Sequence, residues 1–239
     1  MREYFEKIEN LPQDEFLKKM KQCLIQEEKR FVVTANPETL MFAQKDGEFR
    51  EILLNPHTTI VADGIGVIKG AKLLKMDLKH RVLGVDLALQ LLSSCHELNK
   101  SIYLLGAKPE VIEKMKETIK KDYPNAKLVG AVDGYVEDKE AVFMDMYKKK
   151  PDVILVALGI PRQEKLINKY YGQFDKGIFV GVGGSFDVIS GNKKRAPSFF
   201  VKLNLEWLYR ITKEPSRLKR FFDSNIRYMF EIMKERGKK

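Results

Sequence analysis

Apolar residues along this chain follow two alternating patterns. Short, nearly unbroken runs at Phe31–Val33, Thr59–Ala62, Ile102–Leu105, Leu128–Val132, Val153–Leu158 and Ile178–Val182 are separated by longer stretches whose apolar residues recur every three or four positions. Runs of Val, Ile and Leu without alternation suit parallel strands buried on both faces. The intervening period is that of helices, with stripes at Leu17, Met20 and Leu24 behind an Asp14 cap, at Leu87, Leu91 and Leu92, and at Val111, Ile112, Met115 and Ile119. A further helix is expected from about Asp138 to Lys149, and Pro37, Pro109 and Pro161 stand where helices begin. This rhythm predicts an α/β fold: a Rossmann-like, doubly wound, mostly parallel sheet with a C-terminal helical appendage.

The pattern changes after Gly191. Asn192–Pro197 leads into stripes at Phe200, Leu203, Trp207, Leu208 and Ile211, then Leu218, Phe221 and Phe222, then Ile226, Met229, Phe230 and Met233. Residues 1–194 are therefore expected to form the core, and 195–239 a basic, amphipathic, membrane-associating helical appendage. The formal charge of +10 is concentrated there, since Lys193–Lys239 holds 14 Lys or Arg against 5 Asp or Glu. An anionic surface would be met by this tail. A cut after Lys194 is expected to leave a folded core. Packing of the same stripes on the α/β core or between subunits is the alternative, because amphipathic helices usually face protein.

A length of 239 residues with 44% apolar content supports one sizeable core. Cys23 and Cys95 lie far apart without metal-ligand spacing and read as reduced thiols, which favours the cytosol. Met1–Leu11 carries both charges and no apolar signal core, and the longest apolar runs fall short of the about 18 residues that span a bilayer.

Open α/β sheets bind ligands at the carboxyl ends of their strands. There the chain offers Thr34 and Asn36, then Asp63, then Gln163, then Gly183, Gly184 and Asp187. The glycines would let backbone N–H groups approach a ligand, and Gln163 and Asp187 can hydrogen-bond a base or ribose. The plainer reading is that the glycines close a tight turn. Asp63 is the carboxylate best placed to act as a general base, partial burial raising its pKa; its competing role is to cap the helix that begins at Gly64.

Gly64, Gly66 and Gly70 give a GxGxxxG that resembles a dinucleotide fingerprint, but no acid stands at the end of the next strand, Leu105–Lys108. The spacing does not match a P-loop either. His57, His80 and His96 show no metal-ligand spacing, and neither GxSxG nor Asp-x-Asp occurs. No cofactor or metal is expected. A bound diphosphate would be met by helix N-termini and by Arg or Lys.

The motifs Thr34–Glu38, Ala62–Gly66, Arg81–Asp86, Leu104–Ala107, Gly134–Tyr135, Ala157–Glu164, Gly181–Asp187 and Lys194–Pro197, in this order, resemble those of the WecG/TagA/CpsF glycosyltransferases. The resemblance runs from about Phe31 to the end and implies metal-independent, inverting transfer from a UDP-sugar to a polyprenyl-diphosphate-linked sugar acceptor. In the best-known branch the donor is UDP-N-acetylmannosamine and the acceptor undecaprenyl-diphosphate-linked N-acetylglucosamine, for wall teichoic acid; other branches use hexose or uronic acid donors. It further implies Asp63 as base, Thr34 near the transferred sugar or acceptor, and Arg81 as an active-site cation. Tyr135, Gln163 and Asp187 would hold the uridine nucleotide, and Arg210, Arg217 and Arg220 would reach the diphosphate. The implied location is cytoplasmic, peripheral on the cytoplasmic face of a bacterial plasma membrane. A homo-oligomer covering the tail in solution is compatible with this. Met1–Asn10 departs from the family, whose members often begin with a short apolar strand.

A nucleic-acid-binding protein with a phosphate-reading tail is the reading from another class. The apolar stripes, which nucleic acid would not bury, and the polar residues gathered at the sheet edge argue against it.

Overall fold

The computed structural model describes residues 1–215 and 217–237, apart from the side chains of Lys202, Arg217 and Arg220. Six strands form the sheet: β1 (Lys29–Ala35), β2 (Thr58–Ala62), β3 (Ser101–Gly106), β4 (Lys127–Val132), β5 (Val153–Ala157) and β6 (Gly177–Gly181). Their order is β2-β1-β6-β5-β3-β4 and every pairing is parallel, so all six carboxyl ends lie at one edge. The helices are α1 (Arg2–Lys7), α2 (Gln13–Ile25), α3 (Pro37–Lys45), α4 (Gly47–Leu54), α5 (Ile65–Leu73), α6 (Gly84–Leu98) and α7 (Pro109–Asp122). They continue as α8 (Lys139–Lys149), α9 (Arg162–Tyr171), α10 (Ser185–Ile189), α11 (Ser198–Lys202), α12 (Glu206–Lys213) and α13 (Arg217–Arg236).

The strand period of two sorts side chains into two cores. Val32, Val61, Leu104, Leu155 and Val180 face α2, α6, α7 and α10, while Val33, Ile60, Leu105, Val156 and Phe179 face α3, α4, α5, α8 and α9. This is the doubly wound α/β architecture that the alternation predicts.

Three local expectations need correction. Pro12, not Asp14, precedes α2, whose first turn contains Asp14. Helices α1 and α4 were not anticipated, although Tyr4, Phe5 and Ile8 form a short apolar stripe that is buried. Beyond α1, Ile8 bridges Ile60 and the Glu9 N–H donates to the Ile60 carbonyl, so the N-terminal segment covers the edge of β2. A covered edge is closed to pairing with another chain.

Helix α13 lies against α3 and α5 and places Tyr228 and Ile232, both buried, in the core of that face. Two glycines of the GxGxxxG stretch let α5 approach its neighbours, Gly66 toward α3 and Gly70 toward α13. A Cβ on Gly66 would come within 2.7 Å of Pro37, and one on Gly70 would overlap the Tyr228 hydroxyl. Gly66 and Gly70 thus serve helix packing, and Tyr228 and Ile232 share one apolar cluster with the α/β layers. The same helix keeps Phe222, Ile226, Phe230 and Met233 exposed.

Candidate active site

The site begins where β1 and β2 end. Asn36 closes β1 and caps α3: its side-chain oxygen accepts from the Thr39 N–H at 3.0 Å, and Thr39 Oγ1 accepts from the Asn36 N–H at 3.1 Å. This capping box sets the direction of the chain after Thr34 and fixes Asn36 at the end of β1.

Asp63 follows β2, and its N–H donates to the Ala35 carbonyl at 2.8 Å. It does not cap the next helix. Gly64 is the N-cap of α5 at φ 101°, and no side chain bonds there. Instead the carboxylate turns toward the start of α6, which the Val82 N–H holds against β2 through the Ala62 carbonyl at 2.8 Å. A Cβ on Gly84 would lie 3.2 Å from Thr34 Oγ1 and 3.4 Å from Asp63 Oδ2. The missing side chain lets the hydroxyl and the carboxylate both pack closely against the start of α6.

Burial pushes the Asp63 carboxyl up to about 6. Arg210 opposes this, Glu206 adds to it, and the Gly84 N–H and Arg81 pull it back down. Two of these groups come from α12, so the appendage reaches the candidate base. Glu206 is buried and accepts from the Arg210 guanidinium. Arg81 donates to the Val201 carbonyl at 3.0 Å and so also ties the appendage to the core. The side chains of Arg217 and Arg220, expected at the diphosphate, lie outside the described residues.

A second cluster forms where β5 and β6 end, and Gly183 stands at φ 48° with open space around it. Asp63 and Gly183 follow strands two positions apart, which separates them by roughly 10 Å. Gln163 is buried rather than open to a ligand: its oxygen accepts from the Gly159 and Gly183 N–H groups, and its amide donates to Glu164. These bonds make its side chain a brace between the two loops. Gly184 is exposed, and Asp187 accepts from Asn192 Nδ2 at 2.9 Å and lies 3.8 Å from Lys193. Tyr135 follows β4 with its side chain largely exposed, available to stack on a ring.

Sequence reasoning missed the residues that hold the Arg81 loop. Asn10 Oδ1 accepts from the Lys79 and His80 N–H groups, and Gln13 accepts from the Leu83 N–H while donating to Asp86. Polar residues in an N-terminal segment carry no periodic signal for such long-range bonds. Gly84, Glu164 and Glu206 were missed as well. Gly84 and Glu164 sit inside quoted motifs, and a glycine with no turn to make was the available clue.

An all-parallel sheet with an acid, a hydroxyl and two arginines near its carboxyl edge, beside a pair of glycine loops, has the form of an α/β enzyme that binds its ligand at that edge. Residues 5–239 match the model of the glycosyl transferase WecG/TagA/CpsF family. The chain belongs to this family and is a glycosyltransferase. It is 41% identical over 208 residues to an N-acetylglucosaminyldiphosphoundecaprenol N-acetyl-beta-D-mannosaminyltransferase of Bacillus subtilis, covering 87% of this chain and 80% of the relative. Proteins of the same name from Bacillus spizizenii and Staphylococcus aureus (strain MW2) are 41% and 39% identical, over 85% and 87% of this chain and 79% and 81% of theirs.

Proposed function

We propose that this chain transfers N-acetylmannosamine from its UDP-sugar to N-acetylglucosamine carried on undecaprenyl diphosphate, for teichoic acid or surface polysaccharide synthesis. The names of its relatives support the substrates. The observation that carries the chemistry is the placement of Thr34 Oγ1 and Asp63 Oδ2 side by side against Gly84, where β1 and β2 end. Asp63 takes the proton of the acceptor hydroxyl as its oxygen attacks the anomeric carbon from the face opposite UDP. The bond from that carbon to the diphosphate breaks, and UDP leaves with the electron pair. Arg81 and Arg210 stabilise the developing charge, and Thr34 orients the sugar or acceptor. Tyr135 stacks on the uracil, and Asp187 and the Gly183–Gly184 backbone hold the ribose and diphosphate.

The enzyme meets its lipid acceptor as a peripheral protein on the cytoplasmic face of the membrane. Among the described residues no helix is long and apolar enough to cross a bilayer. Exposed Phe199, Leu203, Phe222, Ile226, Phe230 and Met233 supply an apolar side that would insert at the headgroup boundary, beside the basic residues of the tail. A homo-oligomer is the other occupant this side would suit. Sedimentation with and without anionic vesicles separates the two.

The test of the reaction is a screen of UDP-sugars with a polyprenyl-diphosphate-linked N-acetylglucosamine acceptor, reading UDP release. Release with UDP-N-acetylmannosamine that requires the acceptor bears it out. Release with another UDP-hexose alone moves the chain to another branch of the family.

A further inference from the structure

The Gln163–Glu164 pair stands between the loops that follow β5 and β6. One oxygen, Gln163 Oε1, accepts the Gly159 N–H at 3.1 Å and the Gly183 N–H at 3.2 Å, and so ties the two loops together. Both glycines have positive φ, 78° and 48°, so their backbones follow paths that other residues adopt only under strain. An amide accepts at one end and donates at the other. Turned over, Gln163 would set its NH2 against two N–H donors and lose both bonds.

Glu164 selects the orientation. Its Oε1 accepts from Gln163 Nε2 at 2.7 Å. The carboxyl is 2% exposed and its Oε2 has no hydrogen-bond partner, an arrangement that costs stability and calls for a reason. Burial pushes it up to about 7. Space for the pair comes from Gly181 on β6, where a Cβ would come within 2.5 Å of Gln163 Nε2 and 2.9 Å of Glu164 Oε1.

We propose that Glu164 is a positioning residue of the donor site, fixing the amide of Gln163 and through it the spacing of the Gly159 and Gly183 loops without touching the donor. The inference rests on reading these loops as the nucleotide site. It makes the buried acid part of how the enzyme recognises its donor.

The test compares wild type with Glu164→Met, which keeps the volume but removes the acceptor, and Glu164→Gln, whose amide oxygen can still accept. Hydrogen exchange at the Gly159 and Gly183 amides is followed in the free protein, UDP affinity by calorimetry, and KM and kcat with the UDP-sugar. Glu164→Met is expected to lose about tenfold in exchange protection at both amides and to raise KM about tenfold, with kcat within about twofold. Glu164→Gln is expected to restore both. Gly181→Ala, which crowds the pair from the strand side, should reproduce the loss of protection. Wild-type protection and KM in Glu164→Met, or a Glu164→Gln variant as impaired as Glu164→Met, would overturn the proposal. A wild-type protein that fails to bind UDP, while protection falls as expected, would overturn the nucleotide reading and leave the brace standing.

Discussion

The hydroxyl of Tyr228 occupies the place where a side chain on Gly70 would begin. This contact fixes α13 on the core, and the hydroxyl is buried with no hydrogen-bond partner. Tyr228→Phe removes an unpaired polar group while keeping the ring, so it is expected to stabilise the protein by about 1 kcal/mol in urea denaturation. Gly70→Ala should cost about 1–3 kcal/mol by displacing the ring. A chain ending at Lys194 loses Tyr228 and Ile232 from the core and should show no cooperative unfolding. A cooperative transition in that truncation would place α13 outside the folding unit.

The exposed side of α13 gives a separate outcome. Phe230 and Met233 are 68% and 64% exposed, so replacing both by Ser should leave thermal stability within about 0.5 kcal/mol. Binding to anionic vesicles should fall several-fold, because the apolar face that enters the headgroup boundary is lost. Vesicle binding equal to wild type would move the membrane contact away from this face.

Stability should fall as pH rises. Glu164 and Asp63 are raised from ordinary values of 4.5 and 3.8 to about 7 and about 6, in both cases chiefly by burial. Between those limits the folded protein holds protons that the unfolded chain has released, so unfolding free energy declines with pH. Glu164→Gln removes its share of that slope, on the order of 2 kcal/mol between pH 5 and pH 8. Denaturation curves for the variant that track wild type across this range would contradict the burial assignment.

The groups around Asp63 predict how its titration responds to substitution. Arg210 holds the carboxyl down and Glu206 holds it up. Arg210→Ala should shift the rising limb of kcat/KM to higher pH, and Glu206→Gln should shift it lower. Limbs that stay in place in both variants would mean that α12 does not sit over Asp63 in the working enzyme.

The sheet was legible because parallel strands, five of them largely buried and β4 half-buried at the edge, leave unbroken apolar runs that few other structures need. The carboxyl-edge residues were legible as positions, since strand ends announce themselves in Thr34, Asp63 and Gly183. Their roles were less so. Asn36 and Gln163 carry the same amide, yet one caps α3 and the other braces two loops, and the difference lies in neighbours distant in sequence. The stripe of α13 was visible, but the side that faces the core meets Gly70, part of a glycine pattern that suggested a nucleotide instead.

The measurement closest to the central claim is turnover by Asp63→Asn with a UDP-sugar and a lipid-diphosphate acceptor. Asn keeps the shape but cannot take the acceptor proton. kcat should fall by about 10²- to 10⁴-fold, UDP affinity should be retained, and the limb near pH 6 should vanish from the pH profile. Turnover near the wild-type rate, with that limb intact, would contradict the assignment of Asp63 as the base.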